Sequence, residues 1–196
     1  MAVYTKINKK EIAYINRKFE IEKIINFKGI KQGIENTNYL LKSKSKKFIL
    51  TIFEKRVSQK EVPFFMKLMD QLNNSKINCP KPQKNKNGSY LIRLRNKTAC
   101  IVSFLEGKDK KSLNLRNCHD IGRMIAEMHL CTKKINLSRK NSMSIRYLSP
   151  LVNSIKFKSK KFANLENFLK RNFRQIKMKW PKKLPSGIIH GDLFID

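Results

Sequence analysis

Hydrophobic spacing divides this chain near residue 105. Before that point helical and period-two stretches alternate, and after it the apolar residues recur almost wholly at helical spacing. Asn8, with Glu11 three residues on, predicts the start of a helix reaching about Phe19, whose inner face is Ile12, Ile15 and Phe19. Residues 21–28, 38–42 and 46–53 then read as strands, the first two joined by a loop from Gly29 to Thr37 and the last two by a Ser43-Lys44-Ser45 turn. From Ser58 the apolar positions Val62, Phe65, Met66, Leu68, Met69 and Leu72 predict a second helix, ended by Cys79-Pro80-Lys81-Pro82. Two further strands, at 89–94 and 98–104, flank a polar Arg95-Asn96-Lys97 turn. Strands in meander order imply an antiparallel sheet, so the fold class is α+β: five strands, one helix inserted after the third, and a mainly helical remainder.

In that remainder Leu115, Cys118, Ile121, Gly122, Ile125 and Met128 line one face of a long helix, and Phe162, Leu165, Leu169, Phe173 and Ile176 line another. Residues 138–144 read as a loop between them. The stretch from Pro181 to Pro185 ends the last helix and leads to a short strand at Ile188-Ile189. The organisation expected is a sheet lobe over residues 1–105 and the start of a helical lobe over 106–196.

With 44 Lys and Arg against 14 Asp and Glu, the formal net charge is +30. Such a balance suits nucleic acid or an anionic surface when the cations cluster. These do not: Lys9-Lys10, Lys110-Lys111, Lys133-Lys134 and Lys182-Lys183 are scattered over helix backs and turns, the pattern of a solvated surface under AT-rich coding bias. Cys79, Cys100, Cys118 and Cys131 show neither metal-ligand nor disulfide-framework spacing, which points to a reducing cytoplasm. The amino terminus has no signal-like apolar core, and no apolar run approaches the ~20 residues of a membrane helix.

The chemistry concentrates at the end of the chain. Ile188-Ile189 feeds His190-Gly191-Asp192. A His-x-Asp loop with an Asn five positions after the Asp is a phosphotransferase arrangement: the Asp accepts the proton of the attacking hydroxyl and the Asn holds magnesium. Asp192 fills the first role. The Asn would fall directly after Asp196, so metal ligands are expected beyond that residue and residues 1–196 alone are expected to be inactive. Gly191 permits a bend with positive φ, and His190 is read as bonding backbone near the loop. The competing reading of the tripeptide is an ordinary turn with an N-capping Asp.

Two other segments carry alternatives. The loop from Gly29 to Asn38 has fewer glycines than a phosphate-cradling motif. Either it covers nucleotide phosphates, with Gly33 allowing close approach and Asn36, Thr37 and Asn38 as neutral donors, or its residues satisfy turn geometry alone. Val102-Ser103-Phe104-Leu105-Glu106-Gly107 is either an interlobe linker, whose main chain at Ser103 and Leu105 faces an adenine edge, or an edge strand followed by a loop. His119 and His129 are spaced too far apart for a metal pair on one helix, and His129 beside Met128 reads as a packing histidine.

With these residues in view, the chain resembles the homoserine kinases of the aminoglycoside-phosphotransferase-like, or choline-kinase-like, type. The likeness runs from Met1 to Asp196, through Gly33-Ile34-Glu35-Asn36-Thr37-Asn38-Tyr39, Thr51-Ile52-Phe53-Glu54-Lys55-Arg56 and His190-Gly191-Asp192-Leu193-Phe194. It implies a protein-kinase-like two-lobed fold, ATP and Mg2+ as cofactors, and transfer of the γ-phosphoryl group to the hydroxyl of L-homoserine. The chain departs from the wider kinase pattern where the third strand usually offers a cation to the phosphates. Thr51 stands in that register, with Lys55 or Arg56 further along as the possible substitute and Glu61 the nearest acidic partner on the helix. The alternatives are a kinase acting on choline, an aminoglycoside or another hydroxyl compound, and a noncatalytic polyanion-binding protein.

Overall fold

Asn8 begins the first helix as its context requires. In the computed structural model, which describes residues 3–33, 35–54, 59–108, 110–157 and 162–195, the Asn8 side chain accepts from the Lys10 amide at 2.8 Å and the Glu11 carboxylate accepts from the Asn8 amide at 2.8 Å. This capping box satisfies amides at the start of α1 (Lys9–Lys18) that no helical carbonyl can reach. The opposite end carries Arg17 and Lys18 in the last turn, the sign that suits a helix C-terminus.

The sheet is antiparallel, in the order β1-β2-β3-β5-β4, built from β1 (Asn26–Gly29), β2 (Thr37–Lys42), β3 (Lys47–Ile52), β4 (Leu91–Leu94) and β5 (Lys97–Ser103). The β4 to β5 turn places Arg95 at φ 49° and Asn96 at φ 61°, the paired positive values that match a two-residue hairpin to strand twist. Strand alternation sorts side chains onto two faces. Tyr39, Leu41, Phe48, Leu50, Ile52, Ala99 and Ile101 pack with Ile12 and Ile15 of α1 and with Phe19 just after it into one buried cluster. The opposite face sets Ile49, Cys100 and Val102 against Val62, Met66 and Phe65 of α2 (Val62–Asn74). Each fully buried aliphatic side chain of this kind contributes about 1.5–3 kcal/mol. The clamping of one sheet between two helices therefore dominates the stability of this part of the chain.

Three helices follow among the described residues: α3 (Leu115–Thr132), α4 (Ile145–Ser154) and α5 (Ala163–Lys179). The chain forms two compact units, one of Met1–Leu137 with Ile188–Asp196 and the other of Ser138–Gly187. In the first unit α3 approaches α2, and in the second α4 packs on α5. No helix among the described residues is long and apolar enough to cross a membrane.

Several sequence expectations need correction. The first strand starts at Asn26 rather than residue 21, because the Asn16 side chain donates to the Ile24 carbonyl at 3.1 Å and accepts from its amide at 2.8 Å, replacing strand partners there. Ile188-Ile189 is not a strand; its carbonyl at Ile188 lies 3.3 Å from the Thr132 hydroxyl, a helix side chain and not a sheet neighbour. Helix α4 stands where no element was predicted. On α3, Leu115 is 90% exposed and Cys118 is exposed, so its inner stripe begins at Ile121.

Candidate active site

The hairpin between β1 and β2 has a firm base and an open tip. Gly29 pairs with Tyr39 in the strand register, and the Ile30 amide donates to the Asn38 carbonyl at 2.9 Å, closing the ladder where the loop begins. At the tip Gly33 adopts φ 91°, and a Cβ built there meets nothing within 4 Å. The backbone at Gly33 is thus bare to solvent in a conformation side-chain-bearing residues avoid. Asn36 accepts from the Glu54 amide at 3.3 Å.

Thr37 is different from its neighbours. It is fully buried, accepts from the Tyr4 and Thr5 amides at 3.0 and 3.1 Å, and donates to Glu54 Oε1 at 2.7 Å. Two acceptances and one donation use the whole capacity of a hydroxyl. The Thr37 side chain is therefore not an available phosphate donor, contrary to the grouping of Asn36, Thr37 and Asn38 as three equivalent ones. Asn38 lies on the opposite face, where its Oδ1 accepts from the Thr51 hydroxyl at 2.8 Å across the register pair. Thr51 in turn pairs with Cys100 on β5, whose thiol burial pushes up to about 12 and so keeps inert. Asn38 and Thr51 form a neutral polar spot on the α2 face of the sheet, in the register where a cation was sought. Lys55 lies outside the described residues, and Glu61 stands at the N-cap position of α2.

The end of β5 is anchored on both sides. The Phe104 amide donates to the Lys47 carbonyl at 3.2 Å, while the Ser103 amide donates to the Lys81 carbonyl at 2.9 Å and the Ser103 hydroxyl accepts from the Lys81 amide at 2.8 Å. The Ser103 amide is thereby occupied within the protein, which leaves its carbonyl as the main-chain group to consider. Lys47 reaches past the Phe104 ring, 5.2 Å from its centroid, to Glu106 Oε1 at 2.7 Å. Beyond this point Leu105 is exposed.

At the His-Gly-Asp turn Gly191 takes φ 77°, the left-handed bend its sequence context anticipates, and the Asp192 amide lies 3.4 Å from His190 Nδ1. His190 thus turns its Nδ1 toward the backbone of the turn. The segment leading to the turn is tied to the C-terminal end of α3 by the Thr132 hydroxyl. On the same helix His129 Nε2 is buried without a hydrogen-bond partner among the described residues. No hydrogen bond joins Asp192 to the hairpin among those residues, and no three His, Cys, Asp or Glu side chains gather to hold a metal ion.

Glu54 and Lys97 were not singled out from sequence, yet they form the densest polar cluster beside the hairpin. Glu54 receives the Thr5 and Thr37 hydroxyls at 2.7 Å and the Lys97 ammonium, which also donates to the Thr5 hydroxyl at 2.7 Å. Burial pushes the Glu54 carboxyl up, but donation from Lys97, Thr37 and Thr5 outweighs it and holds the group below the usual carboxylate range. A signal was present: an acid directly after an alternating strand is conspicuous in a chain with only 14.

Against known proteins, residues 26–196 match the family model described as the phosphotransferase enzyme family. The homoserine kinase of Parvibaculum lavamentivorans is 36% identical over 197 aligned positions covering all of this chain and 61% of its own length. Those of Nitrobacter winogradskyi and Paramagnetospirillum magneticum are 36% identical, each with 60% of its length covered. The chain thus spans about three fifths of these curated relatives. Among solved structures, a spectinomycin phosphotransferase in complex with ADP and spectinomycin superposes with TM-score 0.59 at 14% identity, over 97% of this chain and 64% of that one. A microcompartment-associated aminopropanol kinase superposes with TM-score 0.56 at 13% identity, over 74% of this chain and 48% of that one. These likenesses bear on fold, which is protein-kinase-like, with the helix-bearing antiparallel sheet as its first part. With the family model spanning everything from β1 through the His-Gly-Asp turn, the chain belongs to the phosphotransferase enzyme family.

Proposed function

We propose that the protein is an ATP-dependent homoserine kinase of the cytoplasm, converting L-homoserine to O-phospho-L-homoserine for threonine synthesis. The observation that carries this reading is the 36% identity, across the whole chain, to proteins named homoserine kinase. The geometry is compatible with it. In this reading residues 1–105 are the nucleotide-binding lobe, and residues 106–196 begin the lobe that receives the hydroxyl substrate.

Phosphoryl transfer asks of a protein mainly positioning and electrostatic stabilisation. The bare backbone at Gly33, with Asn36 and Asn38 at the loop's end, lies over the ATP phosphates. Lys55, just past the third strand, is the cation assigned to them. The Ser103 carbonyl and Leu105 amide meet the adenine edge. Asp192 accepts the proton of the homoserine hydroxyl as it attacks, and the Gly191 bend with His190 at its back holds that carboxylate out of the turn. Mg2+ bound with the nucleotide would neutralise charge developing on the phosphates; the described residues offer no cluster to hold it.

The test is turnover in the full-length protein. Homoserine should support ADP release where choline and an aminoglycoside do not, and the gene should restore growth to a host lacking homoserine kinase. Asp192→Asn preserves shape but cannot accept the proton, so it should retain ATP binding while kcat falls by about 10²- to 10⁴-fold. Wild-type turnover in that variant would remove Asp192 as base, and turnover with choline alone would replace the substrate.

A further inference from the structure

The segment before α1 runs across both stems of the hairpin. On the β1 side, a Cβ placed on Gly29 would fall 2.9 Å from Val3 Cγ2. A side chain there would force the Val3 methyl to shift, so the glycine answers to the closeness of the strap and not to a left-handed backbone. On the β2 side the Tyr4 and Thr5 amides donate to the Thr37 hydroxyl, and the Tyr39 hydroxyl donates to the Thr5 carbonyl at 3.0 Å while accepting from the Ile7 amide at 3.2 Å. Gly29 is the last residue of β1 and Thr37 the first of β2, so the strap crosses where the loop leaves the sheet.

Glu54 fastens this crossing. Its carboxylate takes the hydroxyls of Thr5 on the strap and Thr37 on β2, and Lys97 from β5 closes the ring by donating to both Glu54 and Thr5. The same residue's amide holds Asn36 of the loop. Every hydroxyl proton in the ring has one acceptor, so the arrangement is directional. An ion pair whose acid is nearly buried and whose lysine side chain is 37% exposed adds little net stability, since solvent screening and desolvation offset most of the attraction. What such a ring supplies is geometry.

We propose that Val3–Thr5 act as a clasp that sets the position of the hairpin over the nucleotide phosphates, with Thr5, Glu54 and Lys97 as positioning residues. The inference rests on the reading of the hairpin as the phosphate-covering loop. It predicts that loosening the clasp weakens binding of the phosphates and not of the nucleoside.

The test compares the full-length protein with its Thr5→Val, Thr5→Ser and Gly33→Val variants, measuring affinity for a nonhydrolysable ATP analogue and, separately, for adenosine. Thr5→Val keeps the shape and removes the hydroxyl, so the analogue should bind about 2- to 10-fold more weakly, the effect of one or two lost hydrogen bonds. Adenosine affinity should stay unchanged, and Thr5→Ser should restore analogue binding. Wild-type analogue affinity in a folded Thr5→Val, or equal weakening of analogue and adenosine, overturns the clasp. If Thr5→Val does not fold, Glu54→Gln is read by the same criteria. Gly33→Val separates the two layers: analogue affinity unaffected there overturns the hairpin reading and the clasp with it, whereas weakening at Gly33 without weakening at Thr5 overturns the clasp alone.

Discussion

Gly33 combines φ 91° with open space around the missing side chain. A Cβ there would touch no described neighbour, so packing supplies no reason for the glycine; backbone conformation and what approaches from outside do. Strain from a left-handed β-branched residue is about 1–2 kcal/mol, which a loop tip relieves by shifting. Gly33→Val should therefore leave the thermal midpoint nearly unchanged while weakening ATP binding, as calorimetry and a melting curve on the same sample would show. Unchanged ATP affinity would take the loop out of the site. The role of Thr37 turns on a strand boundary. A strand beginning at Asn38 puts Thr37 in the loop as a donor. With the strand starting at Thr37, alternation sends Thr37 and Tyr39 to the core and Asn38 to the other face. One residue of boundary decides whether the Thr37 hydroxyl is counted with the loop or with the core.

Elements with their own local signals were legible, and those whose partners are distant in sequence were not. The Asn8 and Glu11 pair, the Arg95-Asn96 turn and the Pro-rich end after α2 each state their structure within a few residues. Ile188-Ile189 looked like a strand because a short apolar run carries no period, and its actual partner on α3 is 56 residues away. Helix α4 was hidden by Pro150 inside it, although Ile145, Leu148 and Val152 do keep helical spacing. The capping box can be taken apart by substitution. Asn8→Ala should destabilise the first unit by about 1 kcal/mol in chemical denaturation. Glu11→Gln retains an acceptor for the Asn8 amide and loses the ion pair to Arg95 Nε, 2.7 Å away in wild type. Burial pushes the Glu11 carboxyl up, but the Asn8 amide, its own amide and Arg95 outweigh that and hold it below the usual range. A depressed carboxylate contributes stability above its unfolded pKa and loses it as pH falls through the folded value. The gap between wild type and Glu11→Gln should be full at neutral pH and close in acid below the ordinary carboxylate range. A gap that widens in acid would contradict the assignment.

At the scale of the whole molecule, the charge is the property a partner meets first. Acidic side chains are few, and several tie local structure together: Glu22 holds the Ser43 and Ser45 hydroxyls, Glu11 an amide of the capping box, Glu54 the strap. Surface pairs such as Lys47 with Glu106 and Lys170 with Glu166 neutralise single cations and little of a net +30. Both the excess and its scatter are legible in sequence, and the scatter favours a solvated surface over a polyanion-binding one without testing it. Salt separates them. Binding to duplex DNA through dispersed cations depends on counterion release, and a protein touching 6–10 phosphates would lose about 10³- to 10⁵-fold in affinity between roughly 50 and 200 mM salt. ATP held by a shaped loop and main-chain groups over a few phosphates should lose less than about tenfold over the same range, because short-range contacts escape a Debye length near 8–10 Å. Anisotropy titration with labelled duplex DNA beside calorimetric titration with ATP, on one preparation of the full-length protein, reads both. ATP affinity collapsing in parallel with DNA affinity would mean that the nucleotide is gathered by the overall field and not by the hairpin.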